Sequence, residues 1–143
     1  MHILVAVDQS EESQNALSTA IEVQETAGGT VTAVHVVGSS TEQTGTTEDS
    51  TEDADRGEEI LEEAKAKASE LNEAIETELL VGDPVEAILK YAEENGIDVI
   101  YVGHRGLASK GQEVPDDQRG SLGSVSKGLI ERTQIPVSVF DRR

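Results

Sequence analysis

The sequence predicts a single-domain α/β fold, an open parallel five-stranded sheet with helices on both faces. Three observations carry this prediction. Short apolar or β-branched runs alternate along the chain with amphipathic helical stretches. The first run is apolar almost throughout, as a central strand buried on both faces must be. Neither an internal repeat nor a second domain is visible in 143 residues, a length that suits one sizeable core. Strands joined in succession through helices require crossovers, and so pair in parallel.

Residues 2–7 supply the first strand. Asp8-Gln9-Ser10-Glu11-Glu12 follows with a turn, cap candidates and first-turn acids. Ala16, Leu17, Ala20, Ile21 and Ala27 share one helical face, which Gly28-Gly29 ends. Residues 30–37 are rich in β-branched side chains and read as the second strand. Residues 38–55 change character: six acids, no base and almost no apolar side chain predict a solvated, mobile acidic loop. Periodicity resumes at Ile60, Leu61, Ala64, Ala68 and Leu71. Ile75, Thr77, Leu79 and Val81 alternate as a third strand. Asp83 is placed to cap the next helix, Pro84 to occupy its first position, and Asn95-Gly96 to stop it. Val85, Ile88, Leu89 and Ala92 form the apolar face of that helix. Residues 97–102 give the fourth strand. A long loop follows Gly103, with an extended glycine-containing stretch at 107–122. Val125, Leu129 and Ile130 mark the last helix, and residues 136–140 the last strand.

Charge excludes several functions. Twenty-nine acids against eleven bases give a formal charge of −18. Such a surface repels nucleic acid and anionic membrane. No cysteine is present, and His2, His35 and His104 are too scattered for a zinc cluster. No apolar run is long enough to span a bilayer, and residues 1–8 lack the features of a signal peptide, so a cytoplasmic location is expected. The acid excess, scarce lysine and few aromatics fit a halophilic protein that works in high salt. Its melting temperature is therefore expected to climb as KCl rises toward molar levels, because screening relieves self-repulsion. A flat or falling curve refutes the reading. Residues 103–132 depart from the rest, with a net charge of +1. A near-neutral window in so acidic a chain suits an anion site.

In open parallel sheets ligands bind at the carboxyl ends of strands, near a topological switch point. The first strand ends in Asp8, the second at His35-Val36-Val37, and the fourth in Gly103-His104-Arg105-Gly106. Gly120-Ser121-Leu122-Gly123-Ser124-Val125-Ser126 leads into the last helix. Glycines let backbone amides approach an anion, and a helix starting near Ser124 offers free N–H groups to a phosphate. Ser124 and Ser126 add candidate hydroxyl donors. Asp8 suits a ribose hydroxyl or an adenine amine, or alternatively a helix cap. Other motifs fail. Gly106 and Gly111 have P-loop spacing, but Gln112 stands where lysine is needed, and neither a dinucleotide fingerprint nor a nucleophile elbow occurs. A phospho-receiver would need an aspartate where Val81-Gly82 stands.

Ile3-Leu4-Val5-Ala6-Val7-Asp8-x-Ser10 resembles the opening of universal stress proteins. Val81-Gly82-Asp83-Pro84, Asp98-Val99-Ile100-Tyr101-Val102-Gly103-His104-Arg105-Gly106-Leu107 and Gly123-Ser124-Val125-Ser126 resemble later blocks of that family. Ile135-Pro136-Val137-Ser138-Val139 resembles its closing strand. The resemblance implies strand order 3-2-1-4-5, a homodimer through the last strand, and binding of ATP, or of AMP or ADP, with or without Mg2+. The ATP-binding branch carries Gly-x2-Gly-x9-Gly-Ser/Thr. Here Gly103 and Gly106 match the first pair and Gly123-Ser124 the last, but sixteen residues separate Gly106 from Gly123 instead of nine. By resemblance Asp8 and Val36 hold the adenosine end, Gly103 and Gly106 line the ribose-phosphate approach, and Gly123, Ser124, Val125 and Ser126 cradle phosphates. The expected function is an adenine-nucleotide-binding stress-response module acting on a regulatory protein partner. The alternatives are a nucleotide-free dimeric interaction module and a slow metal-dependent ATPase using Asp8, Asp116 or Asp117.

Overall fold

A computed structural model describes residues 1–38, 47–104 and 124–141, the side chains of 47–53 and 124 excepted. Among the described residues nine elements run in order: β1 (His2–Ala6), α1 (Glu11–Ala27), β2 (Thr30–Val37), α2 (Thr47–Glu70), β3 (Glu76–Val81), α3 (Pro84–Glu94), β4 (Val99–Gly103), α4 (Ser124–Arg132) and β5 (Val137–Phe140). The five strands form one sheet in the order β3-β2-β1-β4-β5, and every pairing is parallel. The expected architecture is therefore the observed one.

Strand alternation builds the two layers. Ile3, Val5, Val7, Val31 and Ala33 face α1 and α2, while Leu4, Ala6, Val34 and Val36 face α3 and α4. Both faces of β1 are buried, which explains its unbroken apolar run. The helix boundaries follow their caps. The Ser10 hydroxyl accepts from Ser13 N–H, and the Asp83 carboxylate from Glu86 N–H with Pro84 at the first helical position. Gly28 and Gly96 leave their helices at φ 78° and 63°, in the left-handed region that favours glycine.

The structure departs from expectation at several points. α2 starts at Thr47, so the second half of the 38–55 segment is helical. That stretch shows no apolar periodicity, yet it has no proline, and acids are favoured in the first turns of a helix. Leu71, counted with that helix, lies beyond its end and is exposed, in a turn closed by Asn72 at φ 62°. Val81 is likewise exposed, because β3 is an edge strand. The expected loop at 107–122 lies outside the described residues.

At the amino end of the sheet a polar cluster covers the α3 face. His2 Nε2 lies 2.7 Å from the Thr32 hydroxyl, which donates to Glu76 at 3.2 Å. Burial, and then the Glu78 and Glu76 carboxylates, push the nearby Tyr91 phenol above its ordinary range.

Candidate functional site

The strand order creates one switch point. From β1 the chain moves outward through β2 to β3, then returns to place β4 on the opposite side of β1. β1 pairs with β4 only from Ile3 to Val5. The carboxyl ends of these two strands carry Asp8 and Gly103, two of the residues singled out from the sequence.

Asp8 is half-buried and held on several sides. Its Oδ1 accepts from Ser10 N–H at 2.7 Å. Its own N–H donates to Ser13 Oγ, and its carbonyl accepts from that hydroxyl and from the Gln14 amide. The carboxylate thus shapes the entry to α1, as the helix-start alternative for this residue expects, while fixing where its charge sits.

Gly103 is buried against the first turn of α1. A Cβ there would stand 2.8 Å from Glu12 Cβ and 3.3 Å from Ser13 N. Glycine is needed for this close approach of strand and helix. Ser126, in the first turn of α4, is fully buried. Its hydroxyl donates to the Gly103 carbonyl at 2.7 Å, with the His104 carbonyl 3.1 Å away. The sequence suggested a hydroxyl donor for a ligand at Ser126. In the structure the proton is committed to the end of β4, and the hydroxyl ties the helix to the strand. Val125 and Val36 are buried in the core against the α3 face, so only their backbone groups can meet a ligand.

Ser124 opens α4, as expected, so the free amides of the first turn lie beside the end of β4. Asp8, Gly103 and the start of α4 are thereby gathered at the carboxyl end of the sheet. Gly106 and Gly123 lie outside the described residues, as do Asp116 and Asp117. An open groove among the described residues lies elsewhere. It encloses about 570 Å³ along α2 and is lined by Asp55, Glu58, Glu59, Glu62 and Glu63. Five carboxylates repel a phosphate, which favours the strand-end site.

Residues 1–141 match the model of the universal stress protein family. The chain belongs to that family. Universal stress protein YxiE of Bacillus subtilis is 31% identical over 149 residues, covering 96% of each chain. The solved structure of MJ0577 from Methanocaldococcus jannaschii superposes with a TM-score of 0.80 at 25% identity, covering 99% of this chain and 96% of that one. The universal stress protein from Archaeoglobus fulgidus, solved in complex with dAMP, superposes at 0.74 with 27% identity, covering 98% and 97%.

Sequence reasoning missed several residues around the candidate site of this universal stress protein. Glu12, read as a first-turn acid, is 4% exposed because β4 closes over it. Ser13 and Gln14 hold Asp8, and His35, which showed no partner in the sequence, lies 2.8 Å through Nδ1 from the Val7 carbonyl. Only the Ser10-x-x-Ser13 spacing of a helix start signals any of them.

Proposed function

We propose that this universal stress protein is a nucleotide-operated regulatory module. ATP, or the corresponding mono- or diphosphate, binds between the carboxyl ends of β1 and β4 and the start of α4. The observation that carries the reading is the hydroxyl tie from Ser126 to Gly103, which sets first-turn amides against a strand end that closes on a glycine. The Archaeoglobus fulgidus relative in complex with dAMP supports an adenine nucleotide as the ligand. Asp8 and the Val36 backbone hold the adenosine end, and Gly103 with Gly106 lines the path to the phosphates. Gly123 and Ser124, with the Val125 and Ser126 amides, receive the phosphates. Mg2+ would enter with the triphosphate, since no cluster of three metal-ligating side chains occurs among the described residues. Occupancy biases a conformational equilibrium only as far as its two states bind the nucleotide differently.

The module is proposed to act in the cytoplasm as a homodimer joined through β5. That strand is a sheet edge, and its Val137, Val139 and Phe140 are half-buried. Sedimentation equilibrium checks the dimer, and a monomer at micromolar concentration removes it.

Protein purified in high KCl is expected to carry adenine nucleotide near stoichiometry, detected by mass spectrometry after denaturation. Mg-ATP titration follows with an Asp8→Asn variant, which keeps a side-chain oxygen for Ser10 N–H and loses the charge. Its affinity is expected to fall about tenfold at unchanged melting temperature. Neither carried nucleotide nor binding heat would replace this reading with a nucleotide-free interaction module.

A further inference from the structure

β2 ends beside the site with His35, Val36 and Val37. The backbone of Val34 points toward β1, since its carbonyl accepts from Val7 N–H at 2.8 Å. By strand alternation the Val36 backbone points the same way. The next rung of the ladder would join Val36 N–H to the Val7 carbonyl. Among the described residues no such backbone bond is made, and the paired register of β1 with β2 stops at Ala6 and Val34. The Val7 carbonyl instead meets His35 Nδ1 at 2.8 Å. A carbonyl only accepts, so Nδ1 carries the proton of this bond.

The ring sits in a slot made for it. Gly57 of α2 passes directly over it, and a Cβ there would lie 2.9 Å from His35 Cδ2 and 2.6 Å from Leu79 Cδ1. With any other residue at this helix position the ring, Leu79 or α2 would have to move. Glycine is an unfavourable choice inside a helix, costing about 1 kcal/mol against alanine, so the packing of the ring outweighs local helix preference here.

We infer that His35 is a positioning residue for the nucleotide: by capturing the Val7 carbonyl it ends the β1–β2 ladder one rung early, holds the residue before Asp8, and leaves the Val36 N–H open to an acceptor on the bound base or ribose. The inference rests on the nucleotide reading for its ligand, and on the backbone geometry alone for the open rung.

Two measurements on the full chain test it with His35→Leu and His35→Asn, the second of which keeps an amide N–H near the place of Nδ1. The first is hydrogen exchange at the Val36 amide by NMR. In His35→Leu the freed Val7 carbonyl accepts from Val36, and exchange at that amide slows relative to the wild type even if the protein as a whole is less stable. A merely structural histidine predicts the opposite, faster exchange. The second is Mg-ATP titration, with folding checked by urea denaturation. His35→Leu is expected to weaken binding about tenfold and His35→Asn to restore most of the loss. Equal affinity in the wild type and His35→Leu, or a Val36 amide already protected in the wild type, overturns the positioning role. Failure of the wild type to bind any adenine nucleotide overturns the nucleotide reading and the role built on it, while the exchange result still reports on the open rung. Should His35→Leu fail to fold, His35→Asn and the wild-type Val36 amide decide the matter.

Discussion

Gly103→Val is expected to lower stability by about 1–3 kcal/mol, at the upper end of that range. The first new carbon would stand 2.8 Å from Glu12 Cβ and 3.4 Å from the Glu12 carbonyl carbon. Those atoms belong to the first turn of α1, which is held by the Ser10 cap and by the bonds between Ser13 and Asp8. The helix start cannot yield without disturbing Asp8, and the strand cannot yield without dragging the carbonyl that Ser126 grips. Valine gains some intrinsic strand preference, worth less than the clash. In urea the midpoint should fall at an unchanged slope, and nucleotide affinity should fall with it in samples shown to be folded. An unchanged midpoint would mean that strand and helix are less closely apposed than the distances state.

Leu129→Ala is expected to cost about 2–5 kcal/mol, whereas Ile130→Ala should change stability by about 0.5 kcal/mol or less. Leu129 is fully buried with Ile88, Val102 and Val125, while its neighbour Ile130 is 44% exposed. The two residues look alike in the sequence, so the contrast reads the rotation of α4 about its axis. That rotation decides whether Ser126 faces Gly103. Equilibrium urea denaturation in high KCl gives both values. Similar losses at the two positions would place the helix in a different orientation and undo the Ser126 tie.

The strands, their parallel pairing and most helix ends were legible in the sequence because the deciding signals are local. The apolar run of β1 reports burial on two faces. Ser10, Asp83-Pro84 and Asn95-Gly96 mark helix ends through bonds that span a few residues. The start of α2 was hidden because an acidic stretch without apolar spacing reads as solvated loop. Around the site, strand ends pointed to Asp8 and Gly103, but not to how they are held. Ser126 meets Gly103 across 23 positions and His35 meets Val7 across 28. Those contacts arise only once the sheet is assembled. The same holds for Glu12, an acid whose burial depends on β4 arriving beside it.

The seating of β1 between β2 and β4 also governs how the protein is made. The backbone N–H of His2 bonds to the Asp98 carboxylate 96 positions away, and Val5 pairs with Tyr101. On the ribosome β1, β2 and β3 emerge first and can join. One side of β1, Ile3 to Val5, then stays bare until the β4 segment has been translated. An open apolar edge of this kind is a template for pairing with a neighbouring chain. The acidic segments made in between put like charge on every nascent copy at that stage, so mutual repulsion keeps half-made chains apart while the central strand waits for its second neighbour.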